Sequence, residues 1–207
     1  MATDEELLAA WGRGEGQAGE QLLRRHFDAL FRFFRHKLDE VAVVEELVQR
    51  TMMAAVAHRG RFRGDCSFRT WLFTIARHEL CHELRRLPRR HEHVDVTEQS
   101  IAEISGASPT GALARQQHER LLLAALRRIP LDLQIAIELA YWEELSATDI
   151  ARVLETPVGT IKSRLRRARE LLQQALVALG STLEASQATV DDLAAWAARV
   201  RDAMPQD

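Results

Sequence analysis

Apolar residues recur along the chain at the three- and four-residue spacing of amphipathic helices, whereas the alternating pattern of half-buried strands is scarce. Glycine and proline fall mainly between the periodic segments, where they separate one helix from the next. The pattern therefore predicts an all-α protein.

Three helices are predicted in the N-terminal part of the chain, over residues 19–38, 41–58 and 68–87. The apolar stripe of the first contains Leu22, Leu23, Phe27, Leu30, Phe31, Phe34 and Leu38. Ser67 or Asp65 is the expected N-cap of the third helix, and Pro88 follows its end. Together the three helices predict a first domain over residues 1–88.

The apolar stripe disappears over residues 89–112, where Ser, Gly, Pro and mixed charges accumulate. Such a composition is typical of a flexible linker. Periodicity returns over residues 113–179, as one helix at 113–129 and three shorter helices after it. The fold class predicted is two small helical domains joined by a flexible linker, with a helix-turn-helix in the second.

A C-terminal extension covers residues 180–207. Thr189 and Asp192 fit a capping box, which predicts one further helix over residues 189–204. The apolar face of this helix would carry Leu193, Trp196, Ala197, Val200 and Met204. A lightly ordered tail is the alternative.

The stretch LSATDIARVLETPVGTIKSRLRRARELL, residues 145–172, is the most informative part of the second domain. Ser146 with Asp149 marks the start of one helix, and Thr156 as N-cap with Pro157 after it marks the start of another. Two helices joined by a tight turn are the layout of a helix-turn-helix.

The second helix of this pair has two different faces. Its apolar face contains Ile161, Leu165, Ala168 and Leu172, and the opposite face contains Gly159, Thr160, Ser163, Arg166 and Arg167. Five basic residues and no acidic one lie between Val158 and Arg169, which suits a helix that enters the major groove of DNA. A solvated basic surface is the alternative, but the paired helix with its own cap favours DNA binding.

The composition bears on how strongly such a protein binds DNA by itself and on where it is located. The 207 residues carry a formal net charge of −2, so DNA binding must depend on local basic patches, and binding to free DNA is expected to be weak. No apolar run approaches the roughly 18 residues of a membrane span, and the first residues lack the layout of a signal peptide. We therefore expect a cytoplasmic protein, in which Cys66 and Cys81 are packing residues and not a disulfide.

The sequence HELCH, from His78 to His82, raises a different hypothesis. On a helix, His-Glu-x-x-His places two imidazoles one turn apart, where they can hold zinc while Glu79 polarises a bound water. The longer extension found in one class of zinc proteases is missing, because Arg85 and Pro88 stand where it needs Gly and His. A zinc hydrolase is therefore a remote alternative, and no metal, cofactor or catalytic residue is expected.

The helix-turn-helix stretch, with its sequence PVGTIKSRLRRAR, resembles region 4 of bacterial RNA polymerase sigma factors of the extracytoplasmic-function (ECF) group. DEVAVVEELVQRTMMAAVAHRGRFRGDCSFRTWLFTIARHELCHELRR, residues 39–86, resembles region 2 of the same group. The resemblance implies a promoter-specificity subunit of RNA polymerase that has no enzymatic activity of its own. A stand-alone helix-turn-helix regulator would explain only the second stretch.

The resemblance also implies two DNA-binding sites. Region 4 would read the minus-35 element through Thr160, Lys162, Ser163, Arg164, Arg166 and Arg167. Region 2 would open and read the minus-10 element through Arg61, Arg63, Phe68, Trp71, Thr74, His78, Cys81, His82 and Arg85. The family tends to carry Asn and Asp at the positions of His78 and His82, so these two departures bear on promoter choice.

Protein partners follow from the same resemblance. The β′ clamp helices of core polymerase would dock on the second predicted helix, at Glu46, Leu47, Gln49, Arg50 and Met53. Arg50 departs from the family, in which an acidic residue is common at that position. Region 4 would bind the β flap, and an anti-sigma factor would be a further partner.

Overall fold

The structure is a computed structural model that describes residues 2–86 and 111–202. All regular elements of these residues are helical, which confirms the all-α prediction. The α-helices are α1 Asp4–Gly12, α2 Gly16–Arg25, α3 Phe27–Arg35, α4 Val41–His58, α5 Phe68–Arg86, α6 Gly111–Leu126, α7 Leu131–Tyr141, α8 Ala147–Val153, α9 Ile161–Ala178, α10 Leu183–Asp191 and α11 Leu193–Asp202. Short 3₁₀ turns cover Arg59–Arg61 and Val158–Thr160.

The chain forms two compact units. Of the described residues, the first contains 2–86 together with 143–162, and the second contains 111–142 together with 163–202. The predicted linker 89–112 lies outside the described residues, apart from its last two. The segment 143–162, which includes the whole of α8, therefore packs within the first unit.

The prediction of one helix over residues 19–38 is wrong, because the helix is interrupted at His26. The backbone of His26 has φ −98° and ψ 1°, so α2 ends before it and α3 begins after it. The imidazole of His26 is buried, lies 2.7 Å from the Asp4 carboxylate and contacts the ring of Phe68. Burial lowers the pKa of His26 more strongly than Asp4 raises it. Phe27, expected in the apolar stripe, is exposed.

A helix that we did not predict, α1, packs against α2. It starts with a capping box: the Thr3 hydroxyl accepts the Glu6 amide at 3.2 Å, and the Glu6 carboxylate accepts the Thr3 amide at 2.8 Å. Trp11 near its C-terminal end is buried and lies over Gly19 of α2. A Cβ atom at position 19 would come within 2.5 Å of the indole, so this close approach requires glycine.

We predict that Gly19→Ala destabilises the first unit by about 1–2 kcal/mol, because the buried indole must shift to admit a methyl group. Gly16→Ala is the matched control in the same helix, since nothing lies within 4 Å of its Cβ position. Urea unfolding of both variants measures the difference. Equal stability of the two variants would contradict the close packing of Trp11 on Gly19.

The core of the first unit lies among α2, α3, α4 and α5. Its most deeply buried side chains include Leu22, Leu30, Phe34, Val44, Leu47, Leu72, Phe73, Ala76 and Leu80. Helix α4 has the predicted bounds, and the predicted cap of α5 at Ser67 is confirmed by its acceptance of the Thr70 amide at 3.1 Å.

Helices α10 and α11 of the C-terminal extension belong to the core of the second unit. That core contains Leu122, Ala125, Leu126, Ile129, Ile137, Trp142, Ala168, Leu172, Ala175, Leu176, Leu179, Val190, Leu193, Trp196 and Ala197. The predicted capping box is wrong, because Thr189 lies inside α10 and its hydroxyl donates to the Ala185 carbonyl at 2.8 Å. The predicted single helix over residues 189–204 is instead the end of α10 followed by α11. Its predicted apolar face is confirmed at Leu193, Trp196 and Ala197, whereas Met204 and the side chain of Val200 lie outside what the structure describes.

Candidate nucleic-acid interface

Helix α5 has the two faces that its sequence predicts. Leu72, Phe73, Ala76 and Leu80 are buried. On the other side His78, His82 and Arg85 are exposed, and Trp71, Thr74 and Cys81 are partly exposed. The outer face thus offers an indole, two imidazoles and a guanidinium, which can stack on unpaired bases and contact phosphates.

Phe68 is a correction to the predicted minus-10 site, because its side chain is only 3% exposed. Its ring packs among Trp11, His26, Phe62 and Trp71, with centroid distances of 5.6–6.5 Å. Phe68 therefore packs against the ring of Trp71 and is not accessible to DNA. The hydrophobic pattern of α5 alone did not distinguish these two aromatic positions.

The loop before α5 carries two of the other predicted residues. Arg61 and Arg63 are both exposed, and Gly64 has φ +75°, a left-handed conformation that favours glycine. Cys66 and Cys81 are free thiols, each partly exposed.

Two residues of the HELCH motif, His78 and Glu79, contact different partners. Glu79 pairs with Arg50 of α4, Oε2 to Nε, at 3.1 Å. The Nε2 atom of His78 lies 2.9 Å from Glu155, whose pKa is lowered mainly by that hydrogen bond. Within residues 2–86 and 111–202 no group of three or more His, Cys, Asp or Glu side chains is arranged to hold a metal ion.

Helix α8 and the residues beside it contact α3 and α5, a contact that the sequence did not predict. Glu143 pairs with Arg69 and lies 3.6 Å from Arg32. The Thr70 hydroxyl donates to Asp149 at 3.0 Å. These partners are 74 to 111 positions apart in the chain, and no periodic pattern relates residues so distant.

The recognition helix differs from its predicted start. Ser146 caps α8 as predicted, since its hydroxyl accepts the Asp149 amide at 3.1 Å. Thr156 does not cap the next helix: residues Val158–Thr160 form a 3₁₀ turn, and the Thr160 hydroxyl donates to the Pro157 carbonyl at 2.6 Å. Helix α9 therefore begins at Ile161, four residues after the predicted first position, Pro157.

The predicted faces of α9 are confirmed, except that Leu165 is half-buried and that Gly159 and Thr160 lie before the helix, in the 3₁₀ turn. Ile161, Ala168 and Leu172 are buried, whereas Lys162, Ser163, Arg166 and Arg167 are exposed. Arg166 and Arg167 both lie near Glu170, at 3.8 Å and 3.2 Å. Such exposed pairs are worth little and can be exchanged for phosphate contacts. Arg164 is partly buried, 3.8 Å from Asp132.

The predicted polymerase-docking residues of α4 lie in two different environments. Glu46, Gln49 and Met53 are exposed, and Met53 keeps 62% of its surface. Leu47 is fully buried and cannot contact a partner. Arg50, predicted as a docking residue, is surrounded by Glu46, Glu79 and Glu83 at 3.0–3.3 Å. The buried Leu47 is therefore a correction to the predicted set, whereas Arg50 keeps 24% of its side-chain surface and stays a prediction.

Comparison with known proteins matches these elements to one family. The Sigma-70 region 2 model matches residues 22–90, and the Sigma-70, region 4 model matches residues 119–172. The RNA polymerase sigma-H factor of Pseudomonas aeruginosa is 31% identical over 180 residues, which cover 84% of this chain and 93% of that protein. The ECF RNA polymerase sigma-E factor of Haemophilus influenzae is 27% identical over 178 residues, covering 83% and 94%.

This chain belongs to the ECF sigma factors. It directs core RNA polymerase to promoters and is an initiation factor without enzymatic activity, as the resemblance to regions 2 and 4 implied. The region 4 match includes α8 and the start of α9, which the compact units place with the first unit.

Two solved structures resemble this sigma factor along most of its length. CnrH in complex with the cytosolic domain of CnrY gives a TM-score of 0.62 at 28% identity, covering 86% of this chain and 99% of that one. The sigma factor RpoE in complex with the anti-sigma factor NepR, from Bartonella quintana, gives 0.57 at 26% identity, covering 78% and 98%. In this sigma factor, none of the helices in the described residues is long and apolar enough to cross a membrane.

Proposed function

We propose that this sigma factor reads the minus-35 element with the exposed face of α9. The observation that carries the proposal is the row of accessible basic and hydroxylic side chains there, with the buried face of the helix already packed. The contacting set is Thr160, Lys162, Ser163, Arg164, Arg166 and Arg167. Guanidinium groups in this position suit phosphates and guanine edges in a major groove.

The minus-10 element would be opened and read by the first unit. Trp71, Thr74, His78, Cys81, His82 and Arg85 form the outer face of α5, and Arg61 and Arg63 lie in the loop beside it. A base extruded from the non-template strand can stack on an exposed ring, so melting and reading occur in one step. Phe68 is left out of this set because it is buried.

Core polymerase would dock on α4 and on the second unit. Glu46, Gln49 and Met53 are the accessible residues for the β′ clamp helices, and the β flap would bind region 4. The net charge of −2 favours an order in which polymerase binds first, because steering of the free protein to DNA is weak. Polymerase then holds both units across the promoter.

An anti-sigma factor is a further proposed partner in the cytoplasm. A groove of about 590 Å³ on the first unit is lined by Phe27, Glu45, Val48, Gln49, Met52, Met53, Val56 and Ala57. The exposed Met53 and Phe27, with the half-buried Met52, are suited to the apolar face of a partner helix. The groove shares Gln49 and Met53 with the proposed polymerase surface, so a ligand there would exclude polymerase.

In vitro transcription with core polymerase and a pool of genomic fragments tests these assignments together. We expect initiation from discrete promoters that depends on the added chain. A stand-alone regulator would instead bind a duplex site tightly without polymerase and would not direct initiation. A zinc hydrolase would retain stoichiometric metal after purification, which elemental analysis measures.

We predict that Arg167→Ala weakens binding of the holoenzyme to such a promoter by about 1–3 kcal/mol, or roughly 5- to 150-fold, and lowers its salt dependence. Polymerase binding, measured by pull-down, should not change. Arg24→Ala is the matched control. Arg24 is 78% exposed and pairs with a glutamate on its own helix, as Arg167 does. It belongs to α2, which is distant in sequence from the proposed minus-35 residues. Equal loss of promoter and polymerase binding by Arg167→Ala would contradict the minus-35 assignment.

A further inference from the structure

One arginine of helix α9 has an uncharged partner. The other arginines of this helix lie near carboxylates, at 3.2–3.8 Å. Arg169 instead contacts Tyr141 of α7: a guanidinium N–H donates to the phenol oxygen, and the guanidinium carbon lies 5.4 Å from the centre of the ring. Within the described part of the chain no carboxylate pairs with Arg169, and its side chain is exposed.

The core of the second unit holds Tyr141 in place. Tyr141 is the last residue of α7 and is half-buried against that core. The next residue, Trp142, is 1% exposed, and its amide donates to the Glu138 carbonyl at 2.8 Å. A long arginine side chain that rests on a ring fixed in this way has already lost rotamer freedom, so it loses less when it binds an anion.

The contact with Tyr141 orients the Arg169 guanidinium without neutralising it. A cation beside an aromatic ring keeps its charge, and a guanidinium has five N–H donors, of which the phenol oxygen takes one. An arginine that pairs with a carboxylate must first give up that partner before it binds another anion. Arg169 is therefore the arginine of α9 that is already oriented for an anion.

Helical spacing places Arg169 in line with two of the proposed minus-35 residues. Lys162, Arg166 and Arg169 are four and three residues apart, so they follow one another along one side of α9. At a rise of about 1.5 Å per residue, this row is about 10 Å long. Recognition helices contact base edges with their N-terminal residues, and Arg169 lies beyond that part of the helix.

We propose that Arg169 contacts a backbone phosphate of the minus-35 element and that Tyr141 is its positioning residue. The proposal rests on the assignment of α9 to the minus-35 element and adds two residues to that site. A phosphate contact supplies affinity without reading a base. The pair therefore determines how strongly α9 holds a promoter, and not which promoter it selects.

The salt dependence of promoter binding tests the phosphate contact. Holoenzyme with Arg169→Gln is titrated with a promoter fragment recovered in the transcription assay, over about 50–200 mM NaCl. We expect about tenfold weaker binding at the lowest salt. The slope of log affinity against log salt concentration should become shallower by about 0.9, the value for one phosphate. Arg24→Gln removes the same charge from an exposed position on α2 and should change neither, and an unchanged slope with Arg169→Gln would overturn the proposal.

A fragment with exchanged minus-35 bases tests whether Arg169 reads sequence. Arg169→Gln should lose the same factor on this fragment as on the original one, because every nucleotide carries a phosphate. A loss confined to the original fragment would make Arg169 a base contact and would overturn the proposal.

Arg167→Ala separates failure of this inference from failure of the proposed function. If α9 does not bind the minus-35 element, Arg167→Ala and Arg169→Gln both leave promoter binding unchanged. If only Arg167→Ala weakens binding, the minus-35 assignment stands and the role of Arg169 is overturned.

A double-mutant cycle tests the positioning role of Tyr141. Tyr141→Leu leaves the charge of Arg169 in place, so binding should weaken by about two- to tenfold while the salt slope is unchanged. In an Arg169→Gln background the same substitution should cost nothing further, because its effect passes through Arg169. Equal losses in the two backgrounds would show that Tyr141 acts through the fold, and would overturn its positioning role. Tyr141→Phe keeps the ring in the core and repeats the cycle with a smaller loss if the leucine variant does not fold.

Fluorine NMR tests the contact itself in the free chain. Tyr141 is the one tyrosine of the sequence, so incorporation of meta-fluorotyrosine gives one resonance. Arg169→Gln should shift this resonance, because it removes the cation beside the phenol, and Arg24→Gln should leave it in place. A resonance that Arg169→Gln does not move would overturn the pairing of the two side chains.

Discussion

Trp196→Ala is expected to destabilise the second unit by about 3–5 kcal/mol, the range for removal of a large aromatic side chain from a core. Trp196 is only 6% exposed, although it lies in the C-terminal extension beyond the region 4 match. Its ring meets that of Trp142 edge to face, with centroids 5.2 Å apart. Alanine would remove this aromatic contact and leave a cavity beside a fully buried indole.

Chemical denaturation followed by tryptophan fluorescence measures the loss, with calorimetry to separate the transitions of the two units. Leu183→Ala is the control from the same extension, because Leu183 is 68% exposed and should cost less than about 0.5 kcal/mol. A Trp196→Ala protein as stable as the control would show that the extension does not belong to the core of this unit.

The position of Trp196 changes how the extension is understood. Val190, Leu193, Trp196 and Ala197 share one core with Leu172 and Leu176 of α9. Helix α9 carries the proposed minus-35 residues on its opposite face, so its position depends on a well-packed buried side. The extension thus supports the recognition helix from behind.

The helices that could be predicted are those whose faces repeat regularly. Helix α4 has the predicted bounds, and the buried faces of α5 and α9 follow their periodic patterns, because one side of each packs against other helices. The break at His26 could not be predicted, because the apolar spacing continues through it. The break coincides with a long-range contact of the imidazole with Asp4 and Phe68.

In the candidate site, too, some features follow from local sequence and others depend on contacts between residues distant in the chain. Which residues of α9 are exposed follows from the sequence of that helix alone. Phe68 and Trp71 differ in exposure for a different reason, since Phe68 is enclosed by rings from α1 and from the preceding loop. The carboxylates that meet α5 come from residues about 74 to 79 positions away, which a single sequence without an alignment does not reveal.

Arg50→Ala is expected to destabilise the first unit by about 2 kcal/mol. Breaking a fully buried ion pair would cost more, but the Arg50 side chain is still 24% exposed to solvent. Its guanidinium lies 3.1 Å from Glu79 and 3.0 Å from Glu83, and Glu83 is 12% exposed. Glu79 would then face α4 without a cation, and Glu83 would keep only the exposed Arg86, at 3.6 Å.

A variant that removes the charges together separates this internal role from a polymerase contact. Arg50→Met with Glu79→Gln and Glu83→Gln should recover most of the lost stability, because no buried charge is left unpaired. Arg24→Ala, an exposed pair on α2, should cost less than about 0.5 kcal/mol in the same urea titration. If the triple variant is stable and still binds core polymerase, Arg50 joins α4 to α5 and is not a docking residue. A stable triple variant that no longer binds polymerase would instead return Arg50 to the docking surface, with the glutamates of α5 as the groups that hold it in position.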